Sequence, residues 1–305
     1  MWWLIVVGLV ACGSPPPPLA VPPPLPAIDA APPRDPMAEA SLVEDLAWLT
    51  HKDRAGRGSY TGDARATAQW LVEQLAAAGA KPALLPIPAI ANQSNVVAAF
   101  GPATGKAMLV TAHYDHLGVI GGRMHPGADD NASGVVVALA VARELGAHPP
   151  AGRIVFVFTG AEEAGLAGAK AYVAAPTVPL AEIRAVFNLD MVGRNFFASS
   201  LNQEARVASV GITDDTAIFE AATTAATAAG LELLPVRPGF LTLIGEANRS
   251  DDWVFREAGV FAVHLSTGLN DDYHQPSDTA DKISRPQLVR MARLLLALTA
   301  RIPSL

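Results

Sequence analysis

His113, Asp130, Glu162, Glu163, Asp190 and His274 come from five short, widely separated segments of a 305-residue chain, and each is a type that binds divalent cations or moves protons. His113 stands in His113-Tyr114-Asp115 and Asp130 in Gly127-Ala128-Asp129-Asp130-Asn131. The glutamate pair ends Thr159-Gly160-Ala161-Glu162-Glu163, Asp190 closes Phe187-Asn188-Leu189-Asp190, and His274 lies in Tyr273-His274-Gln275-Pro276. Singly, each has an ordinary use: a histidine satisfied by a backbone partner, or an aspartate capping a helix. Gathered in one place, the carboxylates would repel one another without a cation. Imidazoles and carboxylates with no thiol suit zinc, with cobalt or manganese under other conditions. Five ligands are too many for one tetrahedral ion that keeps an open position. They suit two ions ~3.5–4 Å apart that share a carboxylate.

Such a gathering requires elements that end together. Apolar runs at Ser94–Phe100, Ala107–Ala112, Ile154–Phe158, Arg184–Leu189 and Val260–Leu265 read as strands. Helical patterns fall at Asp63–Ala78, Ser133–Leu145, Leu166–Val173, Thr216–Ala229 and Pro286–Ala300, and Leu42, Leu46 and Leu49 fit the apolar face of an earlier helix. Strands of this length separated by helices predict an α/β fold: a single domain with a mixed, mostly parallel central sheet and helices on both faces. In open α/β sheets, ligands bind beyond the carboxyl ends of the strands. His113, Glu162, Glu163 and Asp190 directly follow three of the predicted strands, so one edge receives them all. Asp130 stands just before a helix, and His274 lies in a loop after the late strand.

These stretches, together with Ala132-Ser133-Gly134, Met191-Val192-Gly193 and Ser277-Asp278-Thr279, resemble the M28 family of zinc peptidases, which includes the bacterial secreted leucine-type aminopeptidases. The resemblance runs from about Leu42 to the C-terminus. It implies two zinc ions per chain, with Asp130 bridging, His113 and Asp190 on one ion, and Glu163 and His274 on the other. It implies that Glu162 is the general base acting on a metal-bridged water, that Asp115 orients His113, and that Tyr273 lies near the developing oxyanion. By the same alignment Asp129 supports the loop. Many relatives carry Ser-Asp-His where this chain has Ser250-Asp251-Asp252. His264, inside an apolar strand, reads as a packed residue, and His125 as a surface or pocket-rim residue; neither is needed as a ligand. No inserted domain fits between Asn95 and His113. A specificity pocket is expected around Phe240-Leu241-Thr242-Leu243 and the Asp252-Trp253 loop.

Half the residues are hydrophobic, enough for a sizeable core without disulfides, and the single cysteine allows no internal disulfide. A net charge of −7 argues against a nucleic-acid partner. The apolar run over residues 1–12, ending Leu9-Val10-Ala11-Cys12, is too short to span a bilayer and resembles a lipoprotein-type signal peptide, although no Lys or Arg precedes it. Residues 13–36 are rich in Pro and Ala and read as a disordered tether, leaving 37–305 as the peptidase-like domain. The expectation is an exported, monomeric, zinc-dependent exopeptidase in the bacterial cell envelope. A lipidated Cys12 would hold it at the membrane, and it would remove N-terminal residues from peptides. The alternatives are a carboxypeptidase or dipeptidase of the same fold, a one-zinc glutaminyl cyclase-like enzyme, and a non-catalytic tethered binding lipoprotein.

Overall fold

Runs that alternate two cores define the sheet. In β6 (Arg153–Thr159), Ile154, Phe156 and Phe158 join one hydrophobic cluster while Val155 and Val157 join another on the opposite face. A strand buried on both faces reads as continuously apolar, which is why these segments were recognisable from sequence. The computed structural model describes residues 35–239 and 248–304. The signal assignment, the tether up to residue 34, and Phe240–Leu243 fall outside the described residues.

Among the described residues an eight-stranded sheet has the order β1-β2-β6-β3-β7-β10-β8-β9. The strands are β1 (Ala83–Pro86), β2 (Ser94–Phe100), β3 (Ala107–His113), β6, β7 (Ile183–Leu189), β8 (Arg206–Val210), β9 (Glu232–Val236) and β10 (Ala262–Ser266). The central strands β6, β3, β7 and β10 are parallel neighbours, and antiparallel pairings at β1–β2, β2–β6 and β10–β8 make the sheet mixed. From β3 the chain passes to β6 on one side and then to β7 on the other. That reversal opens a crevice at the carboxyl end of β3, where α/β sheets bind ligands.

The larger core lies under α1 (Glu39–Thr50), α2 (Gly62–Ala77), α3 (Gly134–Ala147), α5 (Thr216–Ala229) and α7 (Arg285–Arg301). The smaller lies under α4 (Ala167–Ala174) and α6 (Asp252–Glu257). Helix α3 is buried without a break from Gly134 to Ala142, as a helix enclosed on all sides must be. Trp48 of α1 stacks on Trp70 of α2 at 4.1 Å, and the Arg54 guanidinium lies 4.4 Å above Trp48.

The sequence reading passes over β1, β8, β9, α6 and the small hairpin of β4 (Gly118–Ile120) and β5 (Arg123–His125). Each is short. Strands β1 and β9 lie at the sheet edges, carry little burial and include a proline, so they have no clear apolar pattern.

Candidate metal centre

The end of β3 delivers His113, the turn after β6 delivers Glu162 and Glu163, and the residue after β7 is Asp190. Because these strands are adjacent and parallel, their ends meet at one edge. Asp130 arrives from the irregular turn Ala128–Ser133 ahead of α3, and His274 from the segment after β10, in a left-handed backbone conformation (φ 57°).

The two oxygens of Asp130 face two different groups. Oδ1 lies 3.3 Å from His113 Nε2, which is 3.4 Å from Asp190 Oδ1. Oδ2 lies 3.2 Å from His274 Nε2, which is 3.2 Å from Glu163 Oε2. Ligands on a tetrahedral zinc at ~2.0–2.1 Å lie about 3.3–3.4 Å from one another. The separations match the edges of two tetrahedra joined through Asp130, so the residues present fit a zinc pair. Glu162 joins His113 and Asp190, and His116 joins Asp130 and Glu163, as groups able to hold a metal.

The loops that carry these groups are tied to one another. Asp278 accepts hydrogen bonds from the amides of Asp129 and Asp130, linking the His274 segment to the bridging loop. Asp129 accepts from the Gly193 amide at 2.8 Å and from Asn270 at 3.1 Å. Asn131 donates to the Leu189 carbonyl, and Ser133 accepts from the Val192 amide. Asp129 thus supports the loop rather than facing the metal positions.

Arg57, fully buried, donates to the carbonyls of Leu49, Tyr114, Pro126 and Gly127. Burial lowers it to about 10, and Asp115, Asp130, Asp278 and Glu163 counter that fall, so it stays charged at neutral pH.

Asp115 does something other than the contact expected of it. His113 Nδ1 lies 3.2 Å from the backbone carbonyl of Asp115 and 3.9 Å from its carboxylate. The carboxylate instead accepts from the Glu162 and Glu163 amides and from Ser59 Oγ at 2.5 Å, and so holds the glutamate turn. The reason is geometric: the turn after β6 presents two free amides closer to the carboxylate than the ring nitrogen is. Tyr273 stacks on the His274 ring at 3.8 Å and lines the cleft.

His125 is buried, not at a surface. His264 Nδ1 lies 3.3 Å from Asp252 Oδ1, so the strand histidine is paired with an aspartate. Asp252 begins α6 and reaches the cleft, whereas Trp253 packs against the smaller core. The sequence reading missed Arg57, Ser250, Asp278 and His116. Ser250 and Asp278 stood inside stretches already singled out, Ser250-Asp251-Asp252 and Ser277-Asp278-Thr279, and His116 is the fourth residue of His113-Tyr114-Asp115-His116, but none was given its role; Arg57 had no local signal.

The electrostatics call for positive charge at the centre. Burial alone would lower His113 and His274, yet the carboxylates around them outweigh it, raising His113 well above its ordinary value and His274 to about 10. Burial would raise Asp130, but His116, His113 and His274 hold it below the usual carboxylate range. Burial, with Asp190, Asp251 and Glu163 nearby, raises Glu162 well above its ordinary value despite His113. Metal ligation needs neutral imidazoles. Zinc bound by His113 and His274 would displace their protons, so its apparent affinity should rise as the pH rises from neutrality. Titration calorimetry in buffers of different ionisation enthalpy should show net proton release near neutral pH. Uptake, or no exchange, would contradict this account.

The cleft beside the centre has a volume of about 660 Å³. Met191, Phe196, Phe197, Val210 and Leu269 are among its apolar lining residues, and Glu162, Asp190 and His274 line it too.

Comparison with known proteins agrees with this geometry. Aminopeptidase YwaD of Bacillus subtilis (strain 168) is 31% identical over 233 residues, which is 71% of this chain and 47% of that protein. This chain therefore spans about half the length of that relative. The structure of BSAP, a zinc aminopeptidase from Bacillus subtilis, superposes with a TM-score of 0.55 at 28% identity, over 70% of this chain and 54% of that one. LapA aminopeptidase of Legionella pneumophila shares the fold at a TM-score of 0.74 and 20% identity, covering 88% of this chain and 73% of that one. The model of peptidase family M28 matches residues 95–299. That span holds most of the chain and every segment gathered at the strand edge, and the chain belongs to peptidase family M28.

Proposed function

We propose that this chain is a two-zinc aminopeptidase that hydrolyses the first peptide bond of substrates with an apolar N-terminal residue. The observation that carries this reading is the division of Asp130, whose two oxygens face two separate imidazole–carboxylate pairs. His113, Asp190 and Asp130 would hold one zinc, and Glu163, His274 and Asp130 the other. The pair would polarise the scissile carbonyl and make water a stronger nucleophile.

Glu162, buried in the lining of the cleft, takes the proton of the attacking water and returns it to the leaving amine. Burial favours its neutral form, which brings its proton affinity toward that of the groups it exchanges with. Asp115 fixes the turn on which Glu162 stands. Tyr273, stacked on the His274 ring, would donate its phenol to the developing oxyanion. The substrate ammonium finds carboxylates in the cleft, and the apolar lining residues accept the first side chain.

Hydrolysis of leucyl-4-nitroanilide should fall to background with a chelator and return with zinc. Acetylating the substrate amine should abolish turnover. Cleavage of blocked peptides from the C-terminus would instead identify a carboxypeptidase. We further propose export and lipid anchoring through Cys12, to be checked by fatty-acid labelling of wild type and Cys12→Ala.

A further inference from the structure

His116 is a buried titratable group that none of these roles uses. Its side chain is fully enclosed, and neither ring nitrogen makes a well-directed hydrogen bond. A buried imidazole without partners is costly, so its placement needs an account. Nδ1 lies 2.9 Å from Glu163 Oε1 and 3.7 Å from Asp130 Oδ2. Glu163 Oε1 is likewise buried without a hydrogen-bond partner, while Oε2 faces His274. The two orphaned atoms stand within hydrogen-bond distance of each other.

The distances separate two roles. Groups on one tetrahedral zinc stand about 3.3 Å apart, as the four separations in the centre do. The 2.9 Å spacing is that of an N–H···O bond, and it reaches the glutamate oxygen turned away from His274. The other end carboxylate is built alike. Asp190 presents Oδ1 to His113, while its Oδ2 accepts a 2.6 Å hydrogen bond from Ser250 Oγ. Each carboxylate thus offers one oxygen to a metal position and has the other within reach of a neighbouring donor.

The fold makes room for the ring deliberately. Gly127 has φ +57°, and a Cβ there would sit 2.5 Å from the His116 ring and 2.2 Å from the Asp130 carbonyl. The His116 amide donates to the Arg57 carbonyl at 3.0 Å, fixing the backbone beneath. The ring meets His274 edge-on at 5.8 Å.

We propose that His116 is a positioning residue for the Glu163–His274 metal position: Nδ1–H donates to Glu163 Oε1 and holds Oε2 toward the cation. The proposal rests on the two-zinc reading. Outer partners of metal ligands are worth ~10–100-fold in metal affinity.

The test is zinc titration of metal-free protein in competition with a chromophoric chelator, with circular dichroism to verify folding. Wild type should bind two zinc ions per chain. His116→Leu should weaken one of them by ~10–100-fold and leave the other within about threefold. His116→Asn, whose amide nitrogen can stand near the place of Nδ1, should restore the weakened site to within about threefold of wild type. Should the leucine variant misfold, His116→Ala takes its place. Unchanged affinities in the variants lacking a donor would overturn the proposal. Equal losses in the asparagine and donor-free variants would also overturn it, since the ring would then act as a ligand or as filler. A wild-type protein that binds no zinc would refute the two-zinc reading itself, a result distinguishable from either.

Discussion

Replacing Glu162 with glutamine should lower kcat by about 10²–10⁴-fold, leave KM within a few-fold, and leave zinc content unchanged. Glutamine has the shape of glutamate but cannot accept a proton from water. The backbone that places it is unaffected, because the contact to Asp115 runs through the main-chain amide of Glu162. The pH profile adds a sharper criterion. A base works when unprotonated, and burial raises Glu162. Activity should therefore rise with pH along an acid limb set by this group, and that limb should be missing from the residual activity of the glutamine variant. Steady-state kinetics across pH, with metal analysis of the same samples, measures both. A variant that keeps most of its kcat would remove Glu162 from the mechanism. One that loses zinc would make it a ligand, a role its place near His113 and Asp190 allows sterically.

The second large effect is expected far from the reacting atoms. Arg57→Met should destabilise the protein by at least about 4 kcal/mol and lower its Tm on the order of 10 °C. The guanidinium satisfies four buried carbonyls at 2.8–2.9 Å, from α1, from the turn after β3 and from the loop leading to Asp130. Methionine fills similar volume but removes the donor from the Leu49, Tyr114 and Pro126 carbonyls and leaves the Gly127 carbonyl with the Ala132 amide alone. Arg57→Lys should fall between, since one ammonium cannot span the four. Thermal unfolding of metal-free proteins would isolate this effect from zinc. A methionine variant melting within about 2 °C of wild type would mean that water or rearrangement satisfies those carbonyls.

Much of the architecture was legible in the chain. The central strands β3, β6 and β7 are apolar on both faces, and each ends in or is soon followed by a metal-type or acidic residue, so their sites were visible one at a time. The paired glutamates and the Asp129–Asp130 pair were equally plain. Individual assignments differ for identifiable reasons. The Asp115 carboxylate turned to two amides nearer than the imidazole. His125 lies inside at the end of the β4–β5 hairpin, which is too short to give a periodic signal. His264 agrees with its reading as a packed residue; only its pairing with Asp252, across an interval that no local pattern spans, was not legible.

Ligand chemistry and the strand ends that deliver it were determined by the sequence, because residue type and short-range periodicity are local properties. Which oxygen of each carboxylate faces which imidazole was decided only by tertiary structure. So were the roles of Arg57, Ser250 and Asp278, and the partner of His116. Those choices rest on bonds such as Asp278 to the Asp129 amide, 149 residues apart, and Ser250 to Asp190, 60 residues apart. Contacts of that span exist only once the sheet has set the loops side by side.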